Sequence, residues 1–175
     1  MSKILVVAYS YTGTSRRLAQ LLVAQQHWTL GEVRDARPRS GAAGTWRCLL
    51  DSLFRRRTEI RYDGPNPGEF DAVVLVSPIW VYRLAGPMRS FVAAQRASLR
   101  DVAMISVMGG SGAPNAVEEV HRLIGRPSLM NAAFNTREVE DGSCATRLQA
   151  FGTAVQEAED RLLVGRPPTW FPQAA

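Results

Sequence analysis

At 175 residues, with 46% apolar and 21% charged side chains, the chain is long enough for one domain with a full core that needs no metal or disulfide. No apolar run approaches the length of a membrane span, and the N-terminus lacks the charged region, apolar core and cleavage site of a secretory leader. The net charge is +5, and residues 34–61 carry all of it, with eight arginines against Asp35, Asp51 and Glu59. Such a patch can attract nucleic acid or anionic membrane. It has no interleaved aromatics or reading motif for specific nucleic-acid recognition, and a solvated helix face accounts for it. Cys48 and Cys144 are far apart and form no C-x-x-C motif, the pattern of two unpaired thiols in a cytoplasmic protein.

Residues 3–9 form a short, β-branched apolar run, as expected of a strand covered on both faces. Ser10, Tyr11, Thr12, Gly13, Thr14 and Ser15 follow, with four Ser/Thr hydroxyls and a glycine in six residues. Leu18, Leu21 and Leu22 then recur at helical spacing, which places this loop at a helix N-terminus. Unpaired backbone N–H groups and the helix dipole favour an anion there. Ser and Thr are also ordinary N-caps. One hydroxyl suffices for a cap, and the surplus here points to a phosphate, which Gly13 lets approach the backbone closely.

A second strand is expected over residues 28–33, then a loop over 34–45 with Pro38 and glycines. Trp46, Leu49, Leu50, Leu53 and Phe54 make one apolar helix face among arginines, with Cys48 beside it. Residues 63–66 read as a turn and 72–76 as the third strand. Pro87 suits the first turn of a helix that turns Met88, Phe91 and Val92 inward. Residues 102–107 form the fourth strand. Pro114 opens a helix with Val117, Val120 and Ile124 inward, and 129–135 form the fifth strand. Leu148, Phe151, Val155, Ala158 and Leu162 mark the inner face of a last helix. The domain spans 1–163; the tail, 164–175, carries Pro167-Pro168, Trp170 and Phe171, which either pack on a surface or stay disordered.

Strands that alternate with helices predict a parallel sheet covered on both faces. The loops after strands one, three and four would meet at the switch point, beyond the carboxyl ends of the strands. A phosphoacceptor receiver needs acidic residues after strand one and an aspartate ending strand three; this chain has neither. Ser10 and Arg16 have the Cys-x5-Arg spacing of low-molecular-weight tyrosine phosphatases, but a serine without a base is a poor nucleophile. The first turn has no G-x-G-x-x-G.

The 10–15 loop resembles the phosphate loop of the flavodoxin family, where Ser/Thr-x-Thr-Gly-x-Thr holds the phosphate of FMN. Ser10, Thr12, Gly13, Thr14 and Ser15 fall on that pattern, with Ser15 for the usual Thr. The resemblance continues through 71–92, more loosely through 101–115, and spans the chain from 3 to about 163. It implies a flavodoxin-like three-layer α/β/α sandwich with a five-stranded parallel sheet, order 2-1-3-4-5, and FMN as cofactor. The implied cofactor-binding residues are Ser10, Tyr11, Thr12, Gly13, Thr14, Ser15, Pro78, Ile79, Trp80, Tyr82, Gly109, Gly110 and Ser111. Trp80 offers a flat surface to the isoalloxazine ring and Tyr82 a phenol; core burial is the other reading of both. Gly109, Gly110 and Ser111 suit close backbone approach to a ring, as they would a simple turn. Electron-carrier flavodoxins bring an aromatic and acidic residues to that loop, and this chain does not.

No catalytic side chain or metal ligand is implied. His27 and His121 lack metal-spaced partners. Cys48 is expected to be buried, and Cys144, after Asp141-Gly142-Ser143, to be more exposed. The resemblance implies FMN-dependent electron transfer, either as an oxidoreductase passing hydride from NAD(P)H to a quinone-like acceptor, or as a one-electron carrier docking on protein redox partners. A flavin-free interaction module using the basic patch is the third class. Carriers of this family are typically acidic, whereas the sequence pI here is near 9.9. Loops 10–15, 77–86 and 108–113 contain no Asp or Glu, while Arg16, Arg17 and Arg83 stand in or beside them. The implied partners are NAD(P)H or a protein donor and a small-molecule acceptor such as a quinone, with no specific nucleic acid and no membrane span; a homodimer stays open.

Overall fold

A computed structural model describes residues 1–36, 58–110 and 112–165. In chain order the elements are β1 (Ile4–Tyr9), α1 (Thr14–Gln26), β2 (Thr29–Asp35), β3 (Ile60–Asp63), a 3-10 turn (Pro67–Glu69), β4 (Ala72–Trp80), β5 (Arg83–Leu84), α2 (Gly86–Gln95), β6 (Asp101–Met108), α3 (Ala113–Ile124), β7 (Met130–Asn135), α4 (Thr136–Asp141) and α5 (Ala145–Gly165). The helix expected around Trp46–Phe54, with Cys48, and the tail aromatics lie outside the described residues.

The sheet runs β3-β2-β1-β4-β6-β7, with β5 folded back on β4. Its parallel strands β2-β1-β4-β6-β7 reproduce the expected 2-1-3-4-5 order. Alternation along each central strand divides the core into two layers. Ile4, Val6 and Ala8 of β1 pack with α1 and α5, through Leu18, Leu22, Leu148, Phe151 and Val155. Leu5, Val7 and Tyr9 pack with α2 and α3, through Met88, Phe91, Val92, Val120 and Ile124. Period-two side-chain direction buries both faces of β1, and the result is a three-layer flavodoxin-like sandwich.

The structure corrects five local expectations. The sheet has seven strands rather than five, because β3 pairs antiparallel with β2 at one edge and β5 pairs antiparallel with β4. β3 is a half-buried edge whose Arg61 and Asp63 face solvent, and its last residue occupies the start of the expected 63–66 turn. β4 extends to Trp80 rather than stopping at Val76. Leu162 is 40% exposed, while Glu159, one turn after Val155, takes the inward place instead. Cys144 is buried, 2% exposed, because it sits among Leu148, Phe134 and Val139 where α5 begins. No described helix is long and apolar enough to cross a membrane.

Under the outer sheet edge, Tyr62 donates to the Pro65 carbonyl at 2.8 Å, and a Cβ added at Gly31 would lie 2.5 Å from its hydroxyl oxygen. Burial, reinforced by Asp63, pushes its phenol up to about 12. The folded state therefore holds this proton after the unfolded chain has lost it, so stability should fall as pH rises from 10 towards 12. Denaturant titrations across that window should show a steeper fall for the native chain than for Tyr62→Phe.

Candidate functional site

Three loops leave the carboxyl ends of β1, β4 and β6. In the first, Gly13 adopts a left-handed φ of +100°, which lets the chain turn from strand into α1. Ser10 Oγ accepts the Gly13 N–H at 3.0 Å, and the Thr12 and Thr14 hydroxyl oxygens lie 3.3 Å apart. Thr12 is exposed, Ser10 and Thr14 are half-buried, and Ser15 is buried. No side chain caps α1, and its first turn has no acidic residue. The ordinary capping role is therefore not what the hydroxyls perform. The N-terminus of α1 keeps its first-turn donors and the positive end of its dipole for an anion. Ser10 also retains its hydroxyl proton to give.

The second loop is a hairpin. Trp80 pairs with Arg83 across a two-residue turn in which Val81 and Tyr82 have φ of 48° and 60°. Two consecutive positive φ values define the turn type that usually takes Asn-Gly, and a β-branched residue is strained in it. Both side chains are exposed, at 45% and 57%. The Trp80 ring stands edge-on to Tyr9, with centroids 6.0 Å apart, and to Tyr11 at 5.8 Å. Tyr9 is buried and donates its hydroxyl to Asp35 Oδ2 at 2.9 Å. Trp80 thus joins the hairpin to the first loop.

The third loop is exposed at Gly109 and Gly110, with open space where a Cβ would stand at either. Gly112, with φ of +118°, lies under the hairpin tip, and a Cβ there would come within 2.6 Å of Tyr82 Cα. Its glycine is required by both conformation and crowding. The structure therefore brings together Ser10, Tyr11, Thr12, Gly13, Thr14, Ser15 and Trp80, and sets Tyr82 against the third loop. Pro78 and Ile79 remain within β4, where Pro78 pairs with Val107 and Ile79 is buried in the core. Ser111 lies outside the described residues.

Two ion pairs escaped the sequence. Glu32 on β2 pairs with Arg16 at 2.8 Å, so an acid does reach the rim of the first loop. Arg89 of α2 and Glu119 of α3 form an ion pair inside the core, 3% and 6% exposed. Arg89 also donates to the Leu84 carbonyl at 2.9 Å, and the Leu84 N–H reaches Glu119 Oε2 at 3.4 Å. This pair holds the returning strand of the hairpin by its backbone. The sole signal was a charged residue on each of two helices whose neighbours point inward. Arg17, Arg83 and Arg122 have no ion-pair partner among the described residues. Burial raises the Cys144 thiol, which keeps it in its less nucleophilic protonated form near neutral pH. His121 Nε2 accepts the Ser128 N–H at 2.9 Å, a structural role that ties α3 to the β7 entry.

No family model matches the chain, and no curated protein matches it by sequence. Solved structures do. The flavoprotein of Lactobacillus acidophilus NCFM, solved in complex with FMN, superposes with a TM-score of 0.67 at 21% identity, covering 82% of this chain and 99% of its own. The flavodoxin, WrbA-like protein of Agrobacterium tumefaciens gives 0.59 at 17% identity, covering 92% of this chain and 99% of its own. An archaeal flavodoxin gives 0.53 at 15% identity, with 90% and 99% covered. At these identities the likeness establishes the flavodoxin-like fold.

Proposed function

We propose that this chain binds FMN and works as a reductase, taking hydride from NAD(P)H and passing electrons to a quinone-like acceptor. One observation carries the reading: an uncapped, hydroxyl-rich helix N-terminus, a half-buried tryptophan and an open glycine turn meet at the switch point of a flavodoxin-like sheet. These groups fit the parts of FMN. Ser10, Thr12, Thr14 and the first N–H groups of α1 suit the dianionic phosphate. Trp80 and Tyr11 present aromatic surface to a flat ring, and Gly109 and Gly110 leave backbone accessible to its edge. The Lactobacillus flavoprotein, solved with FMN, supports the same assignment.

Bound FMN supplies the hydride and electron chemistry, and the protein's part is to hold it, set its electrostatic surroundings and control access. Charge favours the reductase over the carrier. Glu32 is shared by Arg16 and Arg34, Arg89 neutralises Glu119, and Arg17 and Arg83 stand beside the site without an ion pair among the described residues. Positive surroundings stabilise negative charge added to a bound cofactor, more so where water is excluded.

The purified protein should therefore show a flavin visible spectrum that NAD(P)H bleaches anaerobically and a quinone restores. Potentiometric titration should give a single two-electron wave. Two well-separated one-electron waves, the second very negative, would instead assign the chain to carriers that dock on protein partners.

A further inference from the structure

A groove of about 750 Å³ opens between the hairpin tip and the outer face of α3, lined by Tyr82, Arg83, Asn115, Glu118 and Arg122. Its size falls in the range of small-molecule sites. Asn115, Glu118 and Arg122 follow at i, i+3 and i+7, which puts them on one helix face. Glu118 and Arg122 are exposed and form no ion pair with each other, although Arg122 Nε donates to the Glu118 carbonyl at 3.4 Å. Glu119, at the groove's inner wall, is already neutralised by Arg89. Arg83 stands directly across the hairpin from Trp80, so the groove lies one cross-strand pair from the proposed flavin site.

The combination is an exposed aromatic ring, two guanidinium groups and a carboxylate that have no ion pair among the described residues, and an amide beside them. We propose that this groove binds the adenylate half of the nicotinamide dinucleotide donor. Tyr82 stacks on the adenine. Arg83 and Arg122 take the diphosphate, for which planar guanidinium forks are suited. Glu118 and Asn115 accept from the ribose hydroxyls, as an acidic residue does in other dinucleotide sites. The assignment gives the strained, exposed Val81–Tyr82 turn a purpose, since it presents the stacking ring beside the cofactor. It rests on the reductase reading above.

The test uses the FMN-loaded protein and ADP-ribose, which shares the adenylate half but carries no nicotinamide. Calorimetry should show saturable binding to the native protein. Arg83→Gln combined with Arg122→Gln should weaken ADP-ribose by about 10-fold or more and raise KM for NAD(P)H by a similar factor. Tyr82→Ala should weaken ADP-ribose while leaving the weaker binding of inorganic pyrophosphate intact. Retained flavin absorbance checks that each variant is folded. ADP-ribose that fails to bind the native protein, or binds the double variant equally well, overturns the groove even if NAD(P)H still reduces the flavin. ADP-ribose binding lost in the variant, with no reduction by NAD(P)H in the native protein, upholds the groove and removes the reductase reading.

Discussion

Changing Thr12 and Thr14 together to alanine should weaken FMN by about 100-fold or more and leave riboflavin within a few-fold of its native affinity. Each hydrogen bond to a charged phosphate contributes about 1.5–3 kcal/mol, so losing two outweighs the roughly 0.3–1 kcal/mol that the dipole of α1 supplies. Both side chains lie at the surface or half-buried, and their oxygens sit 3.3 Å apart at the mouth of the loop, so the core is untouched. The residual FMN affinity measures what the backbone N–H groups and the ring contacts contribute. Fluorescence titration with both flavins separates the terms. An equal loss for FMN and riboflavin would remove phosphate from the loop and leave its hydroxyls a structural role.

That loop was legible because its signal is local. A strand, a surplus of hydroxyls and a helical leucine pattern fall within twenty residues, and the fold realises them in the same order. The central strands were legible for a related reason: β1, β4 and β6 are largely buried on both faces, so their sequences are mostly apolar runs, while their order was implied by the family resemblance. The features that escaped depend on pairings that no local pattern records. Glu32 reaches Arg16 because β2 lies beside β1 in a register that sets Glu32 against Ala8. The hairpin at Val81–Tyr82 lacks the Asn and Gly that mark such turns, and the glycine that accommodates its tip, Gly112, lies thirty residues further along the chain. β3 is four residues long, and Arg61 and Asp63 break its apolar pattern at an edge. Cys144 follows three polar or small residues that suggest exposure, yet it opens α5 against the core.

The buried Arg89–Glu119 pair should separate folding from cofactor positioning. Arg89→Met or Glu119→Gln alone leaves a charge buried without its partner, and each should cost about 3–5 kcal/mol of stability. Arg89→Met combined with Glu119→Leu removes both charges. Such replacements of buried pairs by apolar groups of similar volume are often neutral or stabilising, so the double variant should recover most of the native denaturant midpoint. It should not recover native FMN affinity. With both side chains gone, Leu84 loses the Arg89 bond to its carbonyl at 2.9 Å and the Glu119 acceptor for its N–H. The returning strand then keeps its short pairing with β4 and the burial of Leu84 but loses both side-chain ties to its backbone, and the strained turn ahead of it gains a route to relax. Trp80, which precedes that turn, should lose its fixed place against Tyr11. The expected result is a stable protein with weakened FMN and less quenching of tryptophan emission on binding. A double variant with native stability, affinity and quenching would show that the pair serves the core alone and that the sheet itself positions the hairpin.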